Sequence, residues 1–258
     1  MKMLETLALS FHITRRNWAV YRKDFLANIS PTVADPIFFI GALGLGLGGL
    51  VSELDGRSYV AYLVPGVVVS TALFTAFFES SYGFFVRHTF ESIFKAMLTT
   101  PIGVTEVVLG EFLWVGMKGA CMVTGMSLIM SCFGMVENGW ALVLAPVLGL
   151  LVAVPCGAMG LIATAYVRNI NQFQTIYSLI ISPLFFFSGI FFPIDRMPGM
   201  LPFIAKALPL YHGVELAQSI FWNQNIGRSL LVHGGFLLFS GLGFGFLAFH
   251  RIRRKLIS

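Results

Sequence analysis

The chain has 258 residues, 57% of them hydrophobic and only 11% charged, with a mean hydropathy of +0.82. A soluble domain carries about 25% charged residues, so this chain lacks the polar skin that a water-soluble fold of its length needs. The net charge of +5 points to anionic lipid headgroups rather than nucleic acid, because the basic residues gather at the two ends of an apolar chain.

The segment 1–30 comes first. Leu4, Leu7, Phe11, Trp18, Tyr21 and Phe25 recur at spacings of three, four and seven, with Arg15, Arg16, Arg22 and Lys23 filling much of the other side. That pattern predicts a helix lying in the membrane interface. The run from Met3 to Ile13 is interrupted by Glu5 and His12 and lacks a small-residue cleavage site, so no cleavable signal peptide is expected.

Six runs are then long enough to span a bilayer, which takes about 20 apolar residues: 33–52, 59–86, 107–135, 140–166, 172–192 and 229–250. Polar breaks at 53–58, 137–139 and 168–171 separate several of them. Twelve Lys and Arg residues fall on the side of the termini and four on the other, with Lys118 inside a run. Cations stay preferentially in the cytoplasm, so both termini are expected there, in a multi-pass protein of the inner membrane.

Within the first run, Gly44 and Gly48 form a GxxxG spacing, which suits close helix packing. The second and third runs hold Glu79, Glu111 and Lys118. Charges inside a span are costly, so these three suggest either an ion-paired brace or a proton or substrate site; the opposite signs favour the brace. Between the two runs, the loop 88–101 carries an apolar stripe of Phe90, Ile93, Phe94, Met97 and Leu98, with Glu91 and Lys95 as an i,i+4 pair. Pro101 and Gly103 end it. A short amphipathic helix of this kind either lies on lipid or inserts into a groove on a soluble partner, and periodicity does not choose between them.

The stretch 193–228 contains Pro193, Pro198, Pro202 and Pro209 and cannot cross the bilayer as one helix, yet most of it is too apolar for a solvated loop. Short helices that dip into the outer leaflet and return fit best; a folded outer cap is the other possibility. Cys121, Cys132 and Cys156 read as small buried hydrophobes, with no disulfide framework. The histidines at 12, 88, 212, 233 and 250 are scattered, and HExxH, GxSxG and GxxxxGK[ST] motifs are absent. No catalytic centre, metal or cofactor of its own is therefore expected.

The order of these parts resembles the permease subunits of ABC-2 type exporters. The segments Ala96-Met97-Leu98-Thr99-Thr100-Pro101-Ile102 and Ser188-Gly189-Ile190-Phe191-Phe192-Pro193, then Met197-Pro198 and Pro209-Leu210-Tyr211-His212 with Gln218, are similar to that family's motifs. Ala34-Asp35-Pro36, Phe78-Glu79 and Leu109-Gly110-Glu111 with Lys118 look most like the nodulation-protein J group, which exports lipo-oligosaccharides. The resemblance implies an all-α integral membrane fold with six spans, pairing as a homodimer over two copies of a cytoplasmic ATPase that holds ATP and Mg. It makes 88–101 the coupling helix and 193–228 an outer gate, with Phe187, Phe191, Phe192, Pro209, Tyr211 and His212 near the cargo path. An ion channel or a membrane-embedded enzyme are the competing classes.

Overall fold

The computed structural model describes residues 2–51, 53–136 and 138–257. Met1, Ser52, Glu137 and Ser258 lie outside them, including the expected end of the first run and the acid of the break at 137–139.

Helix α1 (Lys2–Tyr21) is separated from α2 (Phe25–Leu47) by a single 3₁₀ turn, Arg22–Asp24. Asp24 leaves helical geometry at φ −117° and ψ 40°, which divides the amphipathic segment from the apolar one. The two then take different partners. Helix α1 packs on the third span at Gly110, where an added Cβ would stand 2.8 Å from Ile13 Cβ. Helix α2 lies against the second span, where a Cβ on Gly44 would meet Val60 at 2.8 Å. Gly48 only closes the C-terminal turn of α2, its N–H donating to the Gly44 carbonyl. Within the chain, Gly44 makes the close approach of the GxxxG pair.

A two-residue antiparallel hairpin, β1 (Glu53–Leu54) with β2 (Arg57–Ser58), turns the chain into α3 (Tyr59–Phe78). Ser58 caps that helix, its side chain accepting from the Ala61 N–H. The helix runs on through a π-helical stretch, Glu79–Gly83, into α4 (Phe84–Thr89). After a turn come α5 (Ile93–Leu98), the long α6 (Val104–Cys132), the short α7 (Trp140–Val143) and α8 (Ala145–Tyr166). Next, α9 (Gln172–Ile176), a π-helical stretch Tyr177–Ile181 and α10 (Ser182–Phe186) form one continuous helix. A 3₁₀ turn (Ile194–Arg196), α11 (Leu201–Lys206) and α12 (Pro209–Phe221) follow. The chain closes with α13 (Ile226–Ser229), a third π-helical stretch (Leu230–Gly234) and α14 (Gly235–Ile257).

Among the described residues, five helical segments are long and apolar enough to cross a membrane: Leu4–Gly44, Tyr59–Thr89, Val104–Cys132, Ala145–Tyr166 and Ile226–Leu256. The run expected over 172–192 forms a helix only to Phe186. Beyond it Gly189 turns at φ +87° and the chain leaves helical geometry. The core is built where α3, α6, α8 and α12 converge on Leu63, Val68, Leu73, Trp114, Val152 and Ile220. The α6–α8 crossing is close because glycines meet there: a Cβ on Gly149 would lie 2.6 Å from the Gly119 carbonyl oxygen.

Three local expectations change. The helix is shorter than the loop 88–101: His88 and Thr89 finish the second span, Ser92 adopts a left-handed φ of 52°, and α5 runs only from Ile93 to Leu98. Glu91 consequently lies outside the helix, and no Glu91–Lys95 ion pair forms among the described residues. Phe94 is fully buried, its ring 4.6 Å from Phe84, so the middle of the stripe anchors the loop to the bundle. Phe90, Glu91 and Lys95 stay exposed, while Ile93, Met97 and Leu98 are half-buried. Finally, Cys156 is buried as expected, but Cys121 and Cys132 face outward from the apolar bundle.

Candidate functional site

Both termini lie at one end of the bundle. Thr6 Oγ1 donates to Glu106 at the start of α6, and Lys255 Nζ donates to the Thr164 and Val167 carbonyls at the end of α8. Just inside this end sits a network of four charges. Arg87 spans two carboxylates, with Nη1 2.7 Å from Glu79 Oε1 and Nη2 2.6 Å from Glu111 Oε2. Lys118 Nζ is 2.6 Å from the other oxygen of Glu79. Asn17 Nδ2 donates to the second oxygen of Glu111 at 3.1 Å and joins α1 to the set. The Glu111 side chain has no exposure, and the other three charged side chains have 12–15%. Two acids and two cations cancel, which is the condition under which buried charges are tolerated.

The π-helical stretch explains why Arg87 reaches Glu79. Eight residues in a regular α-helix would set the two side chains well apart around the axis. The wider π turn over Glu79–Gly83 absorbs one residue, so Arg87 falls near the register of a seven-residue spacing. Glu111 and Lys118 are seven apart on α6 and share a face in the ordinary way. At 1.5 Å per residue Glu79 stands about 30 Å along the helix from Tyr59, so the network occupies the end of the span rather than its middle.

Lys118 also faces a groove. Its ammonium lies 4.6 Å from the Tyr21 ring centre and 6.0 Å from that of Trp114, so aromatic faces share in holding the cation. Beyond it a cavity of about 750 Å³ opens between α2, the second span and the Gln172–Phe186 helix. Phe38, Phe39, Phe74, Phe78, Phe185 and Phe186 give it an aromatic wall. Ser70, Thr71 and Thr75 add a stripe of hydroxyls, and Thr75 Oγ1 has no hydrogen-bond partner among the described residues. From Val67 to Glu79 the lining follows the second span for about 18 Å, at the helical rise of 1.5 Å. One end therefore holds Glu79 and Lys118, and the remainder is amphipathic with one further acid, Asp35 of α2.

The structure thus joins Glu79 directly to Lys118 and brings in Glu111 through Arg87. Sequence does not mark Arg87 and Asn17 as members of the set, since Arg87 directly follows the apolar run 59–86 as a loop cation would and Asn17 lies within the expected interfacial helix. Of the aromatics expected near a path, Phe191 is buried and packs on Phe185 at 5.2 Å and Phe39 at 5.7 Å, behind the groove wall. Phe187 and Phe192 are partly exposed and are not part of the lining.

At the far end of the bundle, Pro209 and Tyr211 are buried in the first turn of α12. Gly213, further along that helix, packs on Val152 and on Val69, ten residues into α3. His212 and His233 are not scattered but joined, Nδ1 to Nδ1 at 2.9 Å, which ties α12 to the start of the last span. The second nitrogen of His212 meets the Lys206 carbonyl at 2.9 Å and must donate to it. Neutral His212 therefore accepts at Nδ1, and His233 is the donor.

The ABC-2 type transporter family model matches residues 9–222. The chain is 30% identical to Nodulation protein J of Rhizobium meliloti (strain 1021) over 95% of its own length and 93% of the relative's, and 32% identical to Nodulation protein J of Rhizobium leguminosarum bv. viciae over 85% and 84%. It is 22% identical to the Inner membrane transport permease YadH of Escherichia coli (strain K12) over 72% of each chain. These matches cover the helices that build both the charge network and the groove, and the chain belongs to the ABC-2 type transporter family.

Proposed function

We propose that the chain is the membrane permease of an ATP-driven exporter and moves a lipid-linked, oligosaccharide or otherwise amphipathic cargo out of the cytoplasm. The observation that carries this reading is the groove. Six phenylalanines would receive an acyl or other apolar portion, and the hydroxyl stripe with Lys118 and Glu79 would receive a polar one. A groove open along one side of the chain also suits a second copy closing it, so the working unit is taken as a homodimer. Two copies of an ABC ATPase, carrying ATP and Mg, would dock at the end that holds the termini, and that end would face the cytoplasm of a cell with an inner membrane. The six-span count is reached if the Gln172–Phe186 helix and the turns after it cross together. The 193–228 segment, with α12 packed ten residues deep on α3, would then be a re-entrant outer gate.

The loop 88–101 is the docking element in this reading, through Phe90, Glu91 and Lys95, which are exposed, while Phe94 holds the loop in place. Co-purification with the ATPase encoded nearest to this chain tests the proposal. Wild type should retain the ATPase in equal ratio, and Phe90→Asp, which removes only an edge contact on Phe85 from a side chain that is mostly exposed, should lose it while eluting as a folded dimer. Retention by both Phe90→Asp and Lys95→Glu would move docking elsewhere on the chain. No ATPase on wild type would sink the exporter reading and raise the channel class. Phe94→Asp is unsuited to this test, because a charge beside Phe84 would unfold the loop whatever binds it.

A further inference from the structure

A second cavity, of about 350 Å³, lies between α12 and the start of the last span, at the end of the bundle away from the termini. Its lining is mostly polar: Glu215, Gln218 and Ser219 from α12, Gln224, Asn225 and Arg228 from the turn, and Ser229 and His233 beyond, with Trp222 and Val232. Two features set it apart from a solvent-filled crease. It holds one acid and one cation, and among the described residues Glu215 and Arg228 form no ion pair with each other or with any other side chain. The turn that shapes it is also set by two asparagines in left-handed geometry, Asn223 at φ 53° and Asn225 at φ 47°.

We infer that this cavity holds the zwitterionic headgroup of a membrane phospholipid, its ammonium against Glu215 and its phosphate against Arg228. A dipolar ligand answers a site with two opposite charges kept apart, where an anion or a cation alone would leave one of them unmatched. Burial raises the Glu215 carboxyl above its ordinary range, so a cation would supply the solvation that the carboxylate has lost. Ser229 Oγ, buried and without a hydrogen-bond partner in the wall, is a further polar group for the headgroup. A lipid rather than a soluble zwitterion is indicated by what adjoins the cavity. Val232 lines it while remaining 55% exposed, and Leu231 beside it is 80% exposed, which continues the site onto a lipid-facing surface for acyl chains. Trp222 marks the depth at which indoles sit between apolar and aqueous layers.

The inference rests on the reading that this end of the bundle lies at a membrane interface, and it needs neither ATPase nor transport. The test is native mass spectrometry of the permease released from nanodiscs of equal phosphatidylethanolamine and phosphatidylglycerol, with no cargo present. Wild type should retain phosphatidylethanolamine in preference, and Arg228→Glu and Glu215→Gln should each lower that retention by about tenfold, the size expected for losing one charge-assisted contact. Arg228 is exposed, so its variant should unfold at the wild-type temperature in lipid-free detergent. Equal retention of the two lipids would reduce the site to an anion contact and overturn the inference. Unchanged retention in Arg228→Glu, or no lipid on wild type, would overturn it as well. Loss of ATPase binding in a protein that still selects phosphatidylethanolamine would fall on the exporter reading alone.

Discussion

Two sets of ion pairs in this chain have almost the same lengths and opposite surroundings. At the end holding the termini, Arg87–Glu79, Arg87–Glu111 and Lys118–Glu79 measure 2.6–2.7 Å and are nearly sealed from solvent. At the other end, Arg196–Asp55 and Lys206–Asp195 also measure 2.6 Å, but their side chains are 44–76% exposed. Distance alone would rank them equal. Surroundings separate them, because an exposed pair exchanges one good solvation for another, whereas a buried charge that loses its partner has nothing to replace it. The first set can therefore brace the second and third spans, with Asn17 adding α1 by a hydrogen bond, and the second can only tether a hairpin and a loop.

The sharpest way to break this contrast is Arg87→Ala. It strands Glu111, fully buried, with Asn17 as its remaining partner, and leaves Glu79 to Lys118 alone. Breaking a buried pair from one side costs about 3–5 kcal/mol, so folded yield and the unfolding temperature in detergent should both fall steeply. Glu111→Ala should cost somewhat less, since Arg87 keeps Glu79, and should lower yield more than it changes substrate preference. A Glu111→Ala protein of normal yield with altered preference would place Glu111 in contact with cargo rather than in the brace.

Lys118→Met comes next and divides brace from groove. The cation is held by Glu79 and by the rings of Tyr21 and Trp114, and it faces the cavity as well. Methionine keeps much of the apolar stem, and the acid it leaves short of charge, Glu79, keeps Arg87 and is 12% exposed where Glu111 is sealed, so the loss of stability should stay below that of Arg87→Ala. Transport of an amphipathic cargo should fall by more than the stability does. Equal falls in both would make Lys118 a bracing residue only. At the other end of the bundle, His233→Ala removes a single neutral hydrogen bond between α12 and the last span, worth about 0.5–1.5 kcal/mol. Its effect should appear as faster amide exchange in Pro209–Phe221 with little change in global unfolding.

Much of the fold could be read from hydrophobic runs, because a span is fixed by length and polarity alone. Four of the five segments long enough to cross coincide with expected runs to within a few residues, and the fifth takes in only 33–44 of the expected first run, joined to the amphipathic helix before it. Errors arose where tertiary geometry decides. Arg87 follows the last apolar residue of its run and so resembles a loop cation; only the π-helical stretch, which composition does not signal, turns it back onto Glu79. Phe94 shows the reverse, since an apolar stripe at helical spacing looks the same whether it waits for a partner or is already packed on Phe84. His212 and His233, 21 residues apart, could not be paired without knowing that α12 returns to the last span.

The smallest expected effect completes the comparison. Arg196→Ala opens an exposed bridge, and such pairs contribute about 0–1 kcal/mol. Salt should distinguish it from the buried set more clearly than magnitude does. At 1 M ionic strength charges are screened over about 3 Å, against about 10 Å at 0.1 M, so the difference between wild type and Arg196→Ala should shrink toward zero as salt is raised. The difference between wild type and Arg87→Ala should hold, because mobile ions have no access to Glu111. A deficit in Arg196→Ala that persisted at high salt would mean that Asp55 and Arg196 are shielded in the working protein. The hairpin and the 193–196 turn would then be covered by something absent from the isolated chain, and the outer end would behave as the inner end does.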